Sequence, residues 1–165
     1  MKDENIEVVE STTEEKGALV VPKMQEISYD FFGENKTKRV TTLDLNNPED
    51  ADMILNANQQ ADFKLNDEVG KEIKCIGCIL SETPTVTVNE ETGEEITRKK
   101  HTVLLFDEDG NSHATGSNSC YMSFCQIIKL KGLPTRENPI VLIPIKTPAK
   151  QEGHTYLRLK VKSNK

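Results

Sequence analysis

The sequence predicts a mainly β fold: a β-barrel of five strands in Greek-key order with one helix, preceded by an extension holding a short strand and a helix. Three observations predict it. Segments of alternating or β-branched residues recur between Glu72 and Lys162, separated by Gly-, Asp- and Asn-containing turns. One amphipathic helical pattern, Tyr121, Phe124, Cys125 and Ile128, falls between the third and fourth of these segments. Hydrophobic residues make up 35% of the 165 residues, below the roughly 45–50% of an average domain. The core is therefore modest, and part of the chain lies outside it.

In chain order, residues 1–20 are polar and acidic with no period, and read as a disordered tail. Residues 21–66 read as the extension. Val20-Val21-Pro22 and Ile27 to Phe32 look extended, and Arg39 to Leu45 alternates as a short strand. Asn47 is a helix N-cap, Pro48 suits the first helical position, and Glu49 and Asp50 suit the positive end of a helix running to about Gln60. Residues 67–165 read as the barrel domain. Glu72 to Leu80 is a strand, and Thr85 to Val88 is its continuation or a second one. Ile96 to Phe106 is a long strand, and Asp107-Glu108-Asp109-Gly110-Asn111 is a tight turn into a return strand, Ser112 to Gly116. Ser117, Asn118 and Ser119 supply cap oxygens to a helix that ends at Gly132, with Pro134 beyond it. Ile140 to Ile145 is a buried strand with a bulge or edge at Pro144. Thr155 to Lys162 alternates strictly, with Tyr156, Arg158, Lys160 and Lys162 on one face and Leu157, Leu159 and Val161 on the other. Strand, strand, strand, helix, strand, strand is the order of the OB-fold, a five-stranded Greek-key barrel. A split sheet with one helix on its face is the other arrangement this order allows.

Composition narrows the function. The longest uncharged apolar stretch is about ten residues, against the roughly 20 of a membrane-spanning helix. Met1 to Asn5 opens no apolar signal segment, so the four cysteines are expected as thiols in a reducing compartment. Net charge is −6, unevenly placed: residues 1–34 carry −6, residues 35–95 carry −7 and residues 96–165 carry +7. Such asymmetry fits a nucleic-acid surface, or an acidic segment that competes for one.

Most constellations that carry chemistry fail on spacing. Cys75 and Cys78, three apart on a strand, are expected on opposite faces, and Cys120 and Cys125 are off one helical face. Four-ligand zinc is therefore not expected, and the thiols read as buried. Ser117, Ser119 and Ser123 with His101, His113 and His154 lack a nucleophile elbow, and no glycine run has phosphate-loop spacing. The acidic turn at 107–111 lacks the distant glutamate of a calcium loop. No catalytic residue, metal or cofactor is expected. Tyr121 and Phe124 sit on the apolar helical face and read as core.

The basic clusters point elsewhere. Arg98-Lys99-Lys100-His101 opens a strand, Lys129 and Lys131 close the helix, and Arg158 and Lys160 flank the face of Tyr156. Cations neutralise phosphates and release counterions, and an exposed aromatic lets any base stack. The expected single-strand-binding set is Lys74, Arg98, Lys99, Lys100, His101, Phe106, Tyr156, Arg158 and Lys160, with the first and last basic groups lining one groove. With five Phe, three Tyr and no Trp, stacking is sparse and binding leans on charge.

Several stretches share a pattern: Asn56-Ala57-Asn58 to Leu65-Asn66-Asp67, Val69 to Ile73, Asp109-Gly110, Ala114 to Phe124, and Pro148-Ala149-Lys150 to Gly153-His154-Thr155-Tyr156-Leu157. Together they resemble OB-fold single-stranded-DNA-binding proteins of phages and plasmids of Gram-positive bacteria, over roughly residues 50–160. The resemblance implies a non-enzymatic replication protein in the cytoplasm of the bacterial host, with single-stranded DNA and replication proteins as its partners. Relatives of this kind commonly end in an acidic tail. This chain ends Lys160-Val161-Lys162-Ser163-Asn164-Lys165, and its acidic segment is N-terminal. The alternative expectation is a phage adaptor or inhibitor acting by protein contact through the acidic N-terminal half.

Overall fold

A computed structural model describes residues 24–27 and 37–163 of the chain. The acidic tail read at residues 1–20 and the extended pieces read at Val20-Val21-Pro22 and at 28–32 lie outside the described residues. The rest is mainly β. Eight strands form one sheet: β1 (Gln25–Ile27), β2 (Lys38–Thr41), β3 (Phe63–Lys64), β4 (Ile73–Val88), β5 (Glu95–Asp107), β6 (Ser112–Thr115), β7 (Ile140–Pro148) and β8 (Thr155–Val161). Helix α1 (Pro48–Gln59) follows β2, and α2 (Asn118–Lys131) follows β6. The sheet is mixed, because β3 runs parallel to β6 while every other ladder is antiparallel.

Strand β4 is the spine. It pairs with β2, β5 and β7, so the N-terminal extension is built into the same sheet as the rest. The stretch Thr85 to Val88 continues β4 rather than forming a separate strand. β5 pairs with β6, and β7 with β8. Among the described residues no ladder joins β6 to β8, so the sheet is open there. Helix α2 lies along that gap. Ser119 Oγ donates to Leu157 O at 2.9 Å, and Leu159 N–H donates to Ser123 Oγ at 3.0 Å. Two helix serines thus satisfy backbone groups of β8 that a neighbouring strand would otherwise take.

The sheet buries both faces. One carries Cys75, Cys78, Leu80, Val103 and Leu105 against Phe124 and Ile128 of α2 and Leu157 and Leu159 of β8. The other carries Ile79 and Phe106 against Leu43, which follows β2, and Ile54 of α1. A bulge between Cys75 and Gly77 makes this division. It inserts one residue, so Cys75 and Cys78 come to share a core instead of facing opposite ways as the alternation predicts. Burial pushes the Cys75 and Cys120 thiols up to about 12, and raises the Cys78 thiol well above its ordinary value. Gly77 makes no turn. A Cβ there would lie 2.5 Å from Leu43 Cδ2, so glycine admits the leucine to the second core.

Local signals match the helix ends. Asn47 Oδ1 accepts from Glu49 N and Asp50 N, and Gly132, at φ 85°, ends α2. The cap of α2 is Ser117, whose Oγ accepts from Cys120 N, which leaves Asn118 and Ser119 for other partners. Pro144 stands in β7 beyond the residues paired with β4, and its carbonyl accepts from Gly70 N. That is an edge position where a missing N–H does no harm.

Candidate nucleic-acid interface

β4 and β5 outrun their neighbours. β2 leaves β4 after Glu82, and β6 joins β5 only from Val103. Residues 83–88 and 95–102 therefore form a two-stranded arm. Residues opposite each other in a ladder share a face, and successive residues alternate. Arg98 lies opposite Thr85 and Lys100 opposite Thr83, on one face. Lys99 lies opposite Pro84 and His101 opposite Glu82, on the other. The run Arg98-Lys99-Lys100-His101 is split in two by its own strand.

Glu82 holds the second pair. Its carboxylate lies 3.4 Å from Lys99 Nζ and 3.2 Å from His101 Nε2. The hydrogen bond from His101 does most to keep the Glu82 carboxyl below its ordinary range, with Lys99 adding to it against partial desolvation. His101 Nδ1 meets Asn118 Oδ1 at 2.8 Å, and the ring stacks on Tyr121 at 4.1 Å and 16°. Tyr121 is thus half-buried between the core and His101 and presents no open ring face.

The outward face of β8 differs. Tyr156, Arg158 and Lys160 stand opposite Thr147, Ile145 and Ile143 of β7. Among the described residues Arg158 and Lys160 make no ion pair. They line an open cleft of about 430 Å³ whose far wall is α2, with Gln126, Ile127, Leu130 and Lys131. Leu130 is 83% exposed. Tyr156, 51% exposed, lies in a shallow depression beside Ser117, Asn118 and Ser119. Asn118 therefore joins the His101 end of the arm to the Tyr156 end of β8. The result is a strip running from His101 through Asn118, Tyr156 and Arg158 to Lys160 and Lys131.

The remaining expected residues stand apart from this strip. Arg98 and Lys100 occupy the opposite face of the arm, the face on which Arg39 of β2 also lies. Lys74 is bound to Glu108 at 3.1 Å. Phe106 is corrected outright: it is fully buried in the second core beneath Leu43 and Ile54, with no ring face for a base. His113, weighed in the sequence as a base for catalysis, is also buried. Its ring nitrogens meet Glu68 Oε1 at 2.6 Å and Asp107 Oδ2 at 2.8 Å, tying β6 to the turn before β4. Asn118 and Leu130 join the strip without having been singled out as binding residues. Asn118 carried a capping signal that Ser117 takes instead. Among the described residues no group of three His, Cys, Asp or Glu side chains is placed to hold a metal, and no helix is long and apolar enough to cross a membrane. No family model, curated protein or solved structure matches the chain.

Proposed function

We propose that this protein binds single-stranded DNA along the strip from His101 to Lys160, coating it without strong sequence preference during phage or plasmid replication in the host cytoplasm. The observation that carries this reading is the pair Arg158 and Lys160, both without an acidic partner among the described residues, beside the exposed ring of Tyr156 on one strand face. Phosphates follow cations, and a π-face accepts any base. The order β4, β5, β6, α2, β7, β8, with β4 flanked by β5 and β7, supports an OB-like reading, since that fold is a partly open barrel that binds oligonucleotides across strands and loops. Gln126 and the apolar wall of Ile127 and Leu130 fit the sugar and base edges of a strand whose phosphates lie on Arg158, Lys160 and Lys131.

The test is a fluorescence-polarisation titration of an oligo-dT strand against a duplex of equal length, across a salt series. Replacing Arg158 and Lys160 together with glutamine removes about two phosphate contacts, so the slope of log K against log salt flattens by about 1.4. Tyr156→Ala weakens binding by about 1–3 kcal/mol with the slope kept, because stacking releases no counterions. A double variant with wild-type affinity and slope would falsify the assignment. Absence of any oligonucleotide binding by the wild type would transfer the function to the protein-contact reading.

A further inference from the structure

The arm has two edges, and they are not alike. Asn89 N–H donates to Glu94 O at 2.8 Å, which sets the alternation of the ladder: at 87/96, 85/98 and 83/100 the backbone groups face across the arm. At 84/99, 86/97 and 88/95 they point outward. On β4 the first outward position beyond β2 is Pro84, which has no N–H to offer. That edge is blunted as edge strands commonly are. On β5 the outward amides belong to Glu95, Thr97, Lys99 and His101, and β6 covers none of them, since it begins to pair at Val103. A long, exposed strand edge is left with its backbone donors and acceptors unpaired by any strand among the described residues.

The side chains along this edge read Glu94-Glu95-Ile96-Thr97-Arg98-Lys99-Lys100. Apart from Arg98, which mirrors the uncharged Ile96, the charges are antisymmetric about Thr97. An identical strand laid antiparallel with its own Thr97 at the centre sets Glu95 against Lys99 and Glu94 against Lys100, twice over by symmetry. The same register sets outward residues against outward residues, 97 with 97, 95 with 99 and 99 with 95, so both backbones meet as hydrogen-bonded pairs. Centring on Lys99 instead would put the two Lys99 side chains face to face, so the charges pick one register. Lysines that would repel an unrelated strand attract this one.

From this we infer that β5 of the arm docks antiparallel onto β5 of a second copy of the chain, forming a two-fold dimer through one continuous sheet. Such an interface is isologous, as closed two-fold dimers require. Val86 and Val88, exposed at the arm's tip, lie on the same face as Glu95 and Thr97, one strand back from the docking edge. Lys99 exchanges between Glu82 of its own chain, at 3.4 Å, and Glu95 of the second copy. Because the charge pairs are exposed, the dimer weakens as salt rises.

The inference is independent of DNA binding, and its test contains no nucleic acid. Sedimentation or light scattering of the full chain at low salt is expected to give twice the 18.5 kDa chain mass, falling toward 18.5 kDa at high salt. An all-acidic edge, Lys99→Glu with Lys100→Glu, and an all-basic edge, Glu94→Lys with Glu95→Lys, are each expected to be monomeric. Mixed in equal amounts they are expected to pair again, which also shows that both are folded. Thr97→Pro, which deletes the central outward amide while leaving the β4 ladder its bonds, is expected to be monomeric. A wild type that is monomeric at low salt overturns the inference, as do charge variants that stay dimeric alone or a mixture that stays monomeric.

Discussion

Ser123 tests how the fold builds the interface, because it is the hinge between α2 and β8. Its Oγ donates to Cys120 O at 3.0 Å and accepts from Leu159 N at 3.0 Å, and the residue is buried. Leu159 lies between Arg158 and Lys160, so its amide fixes the height of both cations against the helix. Ser123→Ala leaves that amide without an acceptor between two buried residues. A buried unsatisfied N–H costs about 1–3 kcal/mol. Alanine returns up to about 0.5 kcal/mol of helix propensity, and the methyl fills most of the space. The net loss is therefore about 0.5–2.5 kcal/mol, which lowers Tm by a few degrees for a chain of this size, at about 2–4 °C per kcal/mol. Urea unfolding followed by circular dichroism measures it, with the same variant titrated against oligo-dT. Ser119→Ala serves as the comparison. It removes a donor from Leu157 O, a carbonyl nearer the surface that water can reach, so its effect is the smaller. A Ser123→Ala protein as stable as the wild type would refute the idea that α2 takes the place of a strand at the β8 edge.

Two further outcomes follow from the packing. Asp50 is buried, accepting from Asp44 N at 2.8 Å and from Arg136 Nη2 at 2.6 Å. Burial works to raise its carboxyl, but the hydrogen bond from Arg136, then that from Asp44 and the guanidinium charge, hold it below the ordinary value. A lowered folded value stabilises the fold above the unfolded pKa of about 3.9, and that contribution disappears as pH falls through the folded value. Urea midpoints taken from neutral pH to pH 3 are expected to fall less steeply in Arg136→Gln, which begins lower at neutral pH; equal acid limbs refute the coupling. Gly77→Ala is expected to cost about 1–3 kcal/mol through the 2.5 Å clash with Leu43, and Leu43→Ala in that background to cost less than it does alone; additive losses in a thermal melt count against the close approach.

What the sequence made legible was local. Asn47 and Gly132 announce helix ends because a cap is satisfied within a few residues, and Asp107 to Asn111 announces a hairpin, with Gly110 at φ 85° and Asp107 Oδ1 taking the amides of Asp109 and Asn111. The division of Arg98 to His101 between two faces follows from the period of a strand, although the sequence reading set all four in one binding groove. What it does not reveal is which face meets what. Glu82 reaches Lys99 and His101 only because the turn at residues 89–94 sets the ladder's register. Phe106 ends an apolar run, and nothing near it in sequence says that Leu43 and Ile54, more than fifty residues away, close over its ring. The bulge at Ile76 escapes the alternation because one extra residue looks the same as none until the partner strand is present, yet it turns both Cys75 and Cys78 into one core.

The contrast between an acidic first half and a basic second half takes on meaning only in three dimensions. Asp50 holds Arg136, Glu72 holds Lys162 and Glu82 holds Lys99, each an acid from residues 35–95 bound to a cation from residues 96–165. The two halves neutralise each other across the fold, so the positive balance of residues 96–165 is no measure of the surface on offer. What counts is which cations these acids do not reach. On β8, the strict alternation that buries Leu157 and Leu159 pushes Arg158 and Lys160 outward, and β7 faces them with Ile145 and Ile143 rather than with carboxylates. On the arm, Lys100 makes no ion pair with an acid among the described residues, but finds Glu94 in the register of a second copy. On the two readings proposed above, the places take different counter-charges, a polyphosphate in one and the same protein in the other. Salt weakens both, but only the second responds to exchanging the signs of Glu94, Glu95, Lys99 and Lys100.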